Sequence, residues 1–60
     1  MSKRAVDAVF QGLFYLTDIR GLLRDTVPHH RLSLEQKAET EKVLGKLEKQ
    51  IAIIREELLS

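Results

Sequence analysis

The chain has 60 residues, with ten basic and nine acidic side chains and no cysteine. A chain of this length forms one small domain at most, and without cysteine it has no disulfide bonds and no thiolate metal sites. Charges of both signs are interleaved along the sequence, so no polybasic stretch indicates a bulk electrostatic partner. Stability must therefore come from apolar packing.

The first periodic segment runs from about residue 3 to residue 25 and predicts a helix. At 100° per residue, its apolar side chains fall on an arc that spans roughly half of the helix circumference. Such an arc is wider than one neighbouring helix can cover. The arc consists of Ala5, Ala8, Val9, Gly12, Leu13, Leu16, Ile19 and Leu23, with Val6 and Phe10 beside it.

A break in the helical pattern follows at residues 26–32. Pro28 has no backbone N–H and disfavours helical geometry at Val27, so the first helix is expected to end near Asp25. The next residues predict a capping box, in which the Ser33 hydroxyl accepts from the Gln36 amide and the Gln36 side chain reaches back to residue 33. A second helix is therefore expected to begin at about residue 33.

The second helix carries a heptad stripe typical of coiled coils. Antiparallel pairing with the first helix is favoured by the short connection, and we expect it to place Leu16 near Leu47 and Val6 near Leu58. The stripe is then buried between the two helices. Its members are Thr40, Leu44, Leu47, Ile51, Ile54 and Leu58.

These patterns predict an all-α fold, an antiparallel helical hairpin over residues 1–60. Its parts are helix 1 at about 3–25, a loop at 26–32 and helix 2 at about 33–59. Because the first helix has more apolar surface than one partner covers, we expect the hairpin to form a homodimeric four-helix bundle that acts as a protein–protein interaction or regulatory module. The predicted dimer interface is Val6, Val9, Phe10, Gly12, Leu13, Leu16, Ile19, Leu23, Leu44, Leu47, Ile51, Ile54 and Leu58.

Two further groups of residues could bind partners other than a second copy of the chain. Phe14, Tyr15 and Leu22 lie outside the main arc and could dock another protein, which would make the chain a subunit of a larger hetero-complex. The alternative is that a broad bundle interface buries them.

A basic tip at the loop end suggests a nucleic-acid-binding hairpin dimer as a second reading, in which arginines contact phosphate. Against it, arginines near a helix end also complement the helix dipole and pair with neighbouring carboxylates. The residues of this tip are Arg20, Arg24 and Arg31.

Catalytic, cofactor and metal sites are not expected. The serines lie only at positions 2, 33 and 60, and no pair of nucleophile and base can be placed on one helical face with a third group to orient it. His29 and His30 are adjacent in a loop, where neighbouring side chains diverge and rarely chelate one ion. We therefore expect no enzyme activity.

The sequence predicts a cytoplasmic protein without membrane contact. No apolar run reaches the length of a signal-peptide core or of a membrane span. The polar side of the first helix carries Asp7 and Asp18 as well as Lys3 and Arg4. It therefore lacks the cationic face of a helix that lies on a membrane surface.

Overall fold

The computed structural model describes residues 2–60 and shows two helices, α1 at Lys3–Asp25 and α2 at Leu34–Leu59, which pack against each other. No strand occurs within this range, so the predicted all-α hairpin is confirmed. The helices are antiparallel, because the start of α1 lies beside the end of α2: the Ser2 hydroxyl donates to Glu57 Oε1 at 2.6 Å.

Each helix begins at a serine cap. At α1, Ser2 Oγ accepts from the backbone amide of Ala5 at 3.1 Å. At α2, Ser33 Oγ accepts from the Gln36 amide at 3.1 Å while the Ser33 amide donates to Gln36 Oε1 at 2.8 Å. The predicted capping box is therefore confirmed, and it satisfies two backbone amides that the helix itself leaves unpaired.

The chain leaves α1 through a short turn. The Thr26 amide and hydroxyl both donate to the Leu23 carbonyl, at 3.2 and 2.9 Å. The His30 amide then donates to the Thr26 carbonyl at 2.7 Å, and His30 has a φ of 54°, in the left-handed region. These bonds satisfy carbonyls at the end of α1 and reverse the chain before Ser33.

The contact between α1 and α2, called the seam below, follows alternating spacings of three and four residues on both helices. Its fully buried members are all small or medium-sized: Ala5, Ala8, Gly12 and Val43. Small side chains let two helix backbones approach closely, so the seam is narrow. Its half-buried members are Tyr15, Ile19 and Leu22 on α1 and Gln36, Thr40, Leu47, Gln50, Ile54 and Glu57 on α2.

The structure corrects the predicted pairing of the helices in two respects. Gly12 lies against Leu47, since a Cβ at Gly12 would lie 3.5 Å from Leu47 Cδ1. The sequence pattern predicted Leu16 at this place, one helical turn further along α1. The seam also uses Val43, Gln50 and Glu57 instead of the predicted Leu44, Ile51 and Leu58, which are exposed. The small residues of α1 determine both the register and the rotation of α2. This is because α2 lies over the side of α1 where the two helix backbones can approach most closely.

Candidate interaction surface

Six large aliphatic side chains form a surface that neither helix covers. Each is between 41% and 53% exposed, although aliphatic side chains of this size are normally buried. We call this surface the uncovered face. Its residues are Val9, Leu13 and Leu16 on α1 and Leu44, Ile51 and Leu58 on α2.

The uncovered face is continuous across the two helices because of its position relative to the seam. On α1, Leu13 directly follows Gly12 of the seam, and on α2, Leu44 directly follows Val43. The other four residues each follow a seam residue in the same way. One residue is a rotation of 100° about the helix axis, in the same sense on both helices. Since the helices run antiparallel, equal rotations turn both sets of side chains toward the same side of the hairpin.

The opposite side of the hairpin is polar. Its residues directly precede seam residues, which is a rotation of 100° in the other direction. Phe14 and Ile53 are the apolar exceptions there. The polar face consists of Asp7, Gln11 and Asp18 on α1 and Glu39, Lys42, Lys46, Lys49 and Glu56 on α2, all exposed. The side that carries the uncovered face is therefore the more apolar of the two. It is not purely apolar, because Glu41, Glu48 and Arg55 also follow seam residues on α2 and lie along it.

The structure distributes the predicted dimer interface over two surfaces. Gly12, Ile19, Leu47 and Ile54 belong to the seam within one chain. The remaining nine are exposed, and they comprise the uncovered face together with Val6, Phe10 and Leu23. Contact between chains through these residues stays a prediction.

The three residues predicted as a docking patch do not share one surface. Tyr15 and Leu22 are half-buried on the side of α1 that faces α2, whereas Phe14 is 64% exposed on the polar side. Phe14 and Tyr15 are adjacent in the chain and therefore lie 100° apart around α1. Only the position of α2 shows which of the two faces the seam.

The predicted basic tip is spread over the loop end. Arg20 directly follows Ile19 of the seam and therefore lies on the same side as the uncovered face, whereas Arg24 is in the last turn of α1 and Arg31 is between the helices. All three are exposed. Lys37 follows Gln36 of the seam and is the corresponding cation on α2. The loop end of this side thus carries Arg20 and Lys37, together with Glu41, which follows Thr40 of the seam.

A polar cluster, which the sequence analysis did not predict, closes the other end of the seam. Arg4 NH1 lies 3.2 Å from Glu57 Oε2 and 3.7 Å from Glu56 Oε2, and Ser2 donates to the other oxygen of Glu57. The Ser2 hydrogen bond lowers the pKa of Glu57; partial burial opposes this, and the charge and hydrogen bond of Arg4 add to the lowering. We call these residues the end clamp. Only the register of the two helices reveals the end clamp, since Ser2 and Arg4 are more than 50 residues away from Glu56 and Glu57 in the chain.

Within residues 2–60, features of other kinds of site are not found. No group of three His, Cys, Asp or Glu side chains is placed to hold a metal ion, and this part of the chain has no pocket. Neither α1 nor α2 is both long and apolar enough to cross a bilayer. No protein-family model matches the chain, and comparison with curated proteins and with solved structures found no similar protein.

Proposed function

We propose that the chain is a self-associating interaction module, in which two hairpins pack their uncovered faces together as a four-helix bundle. The observation that supports this proposal is the continuous set of half-exposed aliphatic residues on one side of the hairpin. Apolar faces of this kind, bordered by polar residues, mark protein–protein contacts. In this proposal the module acts by assembly and performs no chemistry.

The composition of the seam gives an energetic reason for association. Its fully buried residues are small, so the contact within one chain removes little apolar surface from water. A core in a chain of this size rarely supplies more than about 3–5 kcal/mol. Full burial of a Val, Leu or Ile side chain is worth about 1.5–3 kcal/mol, so covering six half-exposed ones would add on the order of 5 kcal/mol per chain. Folding and association are therefore expected to be coupled.

The dimensions of the hairpin suit a dimer. It extends 41 Å along its length and 16 Å across. A second copy laid over the whole of one side would cover about 650 Å² on each chain, or about 1,300 Å² in total, which is within the range of specific interfaces. A symmetric dimer also covers both copies of the face at once.

The test compares two aspartate substitutions in the same turn of α1. Leu13→Asp places a charge on the uncovered face, whereas Gln11→Asp places the same charge on the polar face. Sedimentation equilibrium should show a dimer for the unmodified chain and for Gln11→Asp, and a monomer for Leu13→Asp, because a charge in an apolar interface is costly. The thermal midpoint of the dimeric proteins should rise with protein concentration.

Other outcomes would contradict self-association. A monomer with a midpoint that is independent of concentration would show that a second copy does not cover the face. A chain that folds only in the presence of another protein would indicate a hetero-complex instead. Equal effects of Leu13→Asp and Gln11→Asp would show that the uncovered face is not an interface.

A further inference from the structure

The outer sides of the two helices, which point away from the seam, have different shapes. A residue that lies two positions from a seam residue in both directions is turned by 200° from each, so it belongs to the outer side. On α1 this is the position of Phe10, between Ala8 and Gly12, and Phe10 is 59% exposed. Gly45 has the same kind of position on α2, and a Cβ there would have no atom within 4 Å. One outer side thus carries a bulky ring and the other is open above a glycine.

The level of each residue along the hairpin follows from two contacts across the seam. Gly12 lies against Leu47, and the Ser2 hydroxyl donates to Glu57. In both pairs the two residue numbers add up to 59, so one register holds from the middle of the seam to its end. A copy of the hairpin placed beside the first, at the same height and in the same orientation, brings its α2 against the outer side of α1. These two helices are then antiparallel, and the same rule gives the residues that face each other.

The shapes of the two outer sides fit in this register. Phe10 falls in the gap between Gly45 and Ala52 of the next copy, because residue 10 is level with a position midway between residues 45 and 52. Thr17 falls in the same way between Ala38 and Gly45. The larger side chains of α1 therefore enter the spaces between small residues of α2, as ridges of one helix pack into grooves of another.

The charges at both ends of the outer sides match in the same register. Lys3 and Arg24 lie in line with Phe10 on α1, at spacings of whole heptads. Lys3 is level with Glu56 of the next copy, and Arg24 is level with Glu35. One like-charged pair also arises, since Asp25 comes near the same Glu35, and Arg24 offsets it. Each end of the contact thus joins a cation of α1 to an acid of α2.

Along the polar side, acids of α1 meet lysines of α2. Asp18 is level with residue 41 of the next copy and comes beside Lys42, and Asp7 is within one turn of Lys49. Within residues 2–60 the ion pairs all belong to the end clamp, so these four side chains have no ion-pair partner in their own chain. The next copy supplies partners of opposite charge to all four.

The match is only partial on the side of the uncovered face. Arg20 comes beside Glu41 of the next copy, which has the opposite charge, but Leu13 comes beside Glu48. Arg55 of the next copy comes beside an aliphatic side chain. The outer sides and the polar side therefore determine the register of this contact.

Two α1 helices placed outer side to outer side do not match in this way. With a two-fold axis between Phe10 and Phe14, Asp7 of each copy would come beside Asp18 of the other. Like charges that face each other are unfavourable. The charges therefore favour contact of α1 with α2 over contact of α1 with a second α1.

We propose that hairpins also associate side by side, with the outer side of α1 against the outer side of α2 of the next copy, antiparallel and without a shift along the helices. This lateral contact goes beyond the proposed dimer, because it uses surfaces that the dimer leaves exposed. Its two sides differ, so each added copy leaves one of each free and the rows remain open. The contact consists largely of exposed charges, so we expect it at protein concentrations well above those that form the dimer.

An exchange of charges tests the lateral contact. Asp18→Lys and Lys42→Asp each bring like charges together, and each should weaken lateral association about two- to fivefold, the size of an exposed charge pair. The double variant places opposite charges together again and should associate like the unmodified chain. The measurement is the weight-average mass by sedimentation at high protein concentration and low salt. For the unmodified chain this mass should exceed that of a dimer and should fall as salt is added.

Lys46 provides the matched control, because it lies on the polar face but not beside Asp18 of the next copy. Asp18→Lys combined with Lys46→Asp exchanges the same charges and should leave lateral association weakened. All three positions are exposed, so circular dichroism should show the same helix content for every variant.

The outcomes separate the lateral contact from the proposed dimer. A mass that stays at that of a dimer at every concentration would overturn the lateral contact and leave the dimer intact. Equal recovery with Lys42→Asp and with Lys46→Asp would also overturn it, since the pairing of Asp18 would then not depend on register. Dilute protein that is monomeric, together with large species that only the Lys42 exchange restores, would support the lateral contact and contradict the dimer.

Discussion

The seam and the uncovered face are built from apolar residues of different size. The seam places its smallest residues, such as Ala8 and Gly12, at full burial between the helices. The uncovered face places larger residues, such as Leu13 and Ile51, at about half exposure. In most small domains the larger aliphatic side chains occupy the core. Here the contact within one chain favours close approach, and the larger side chains remain available to another helix layer.

The contrast suggests a division of labour between the two surfaces. Close helix contact fixes register, because the position of Gly12 against Leu47 leaves little freedom to slide. In the proposed dimer, the large side chains of the uncovered face would supply the apolar area that stabilises the bundle. Under the proposed self-association, a hairpin organised in this way specifies its own geometry within the chain and would gain much of its stability from the second copy.

The largest expected effect comes from breaking the seam. Leu47→Asp introduces an unpaired charge beside Gly12, and we expect it to destabilise the hairpin by about 3 kcal/mol or more. Circular dichroism should show loss of helix at every protein concentration, whereas the effect of Leu13→Asp should depend on association. Lys46→Asp, the neighbouring residue on the polar face, is the control. If Leu47→Asp and Lys46→Asp lost helix to the same extent, the seam would not be the contact that holds the hairpin together.

The local features of this fold could be predicted from sequence because they depend on adjacent residues. The Ser33 capping box and the end of α1 before Pro28 are set within a few positions of the chain. Periodicity also indicated two helices. What it could not indicate was which of two neighbouring stripes on α2 faces α1, because Val43 and Leu44 differ by a single 100° rotation and both are apolar.

The same limit applies to the candidate site. Both stripes of α2 fit a heptad pattern, and the choice between them depends on the small residues of a different helix, Ala5, Ala8 and Gly12. The excess of apolar surface on α1 was evident from composition and spacing. Its continuation onto α2 through Leu44 and Ile51 was not, since it requires the register and rotation of the pair.

A smaller effect is expected at Gly45, which belongs neither to the seam nor to the uncovered face. Gly45 is exposed, and a Cβ there would have no atom within 4 Å. Gly45→Ala should therefore stabilise the protein by about 1 kcal/mol through helix propensity alone, measured by chemical denaturation. Gly21→Ala, also in open space on α1, is the matched control and should have a similar effect. A loss of association in Gly45→Ala only would reveal a helix packed against Gly45, in addition to the uncovered face.

The smallest expected effect concerns the end clamp, the polar end of the seam. The Ser2 hydrogen bond and the nearby Arg4 lower the pKa of Glu57 below its ordinary value of 4.5, so the folded state favours the ionised carboxylate. The clamp therefore stabilises fully above that ordinary pKa, and its contribution is lost as the pH falls through the lowered pKa of the folded state. Glu57→Gln keeps a hydrogen-bond acceptor but does not titrate. Its thermal midpoint should lie below that of the unmodified chain at neutral pH, and the two should converge as the pH falls below the lowered pKa of Glu57. Glu39→Gln, on the polar face, controls for the removal of one carboxylate. A midpoint difference that does not shrink as the pH falls would show that the charge of Glu57 does not help to close the seam.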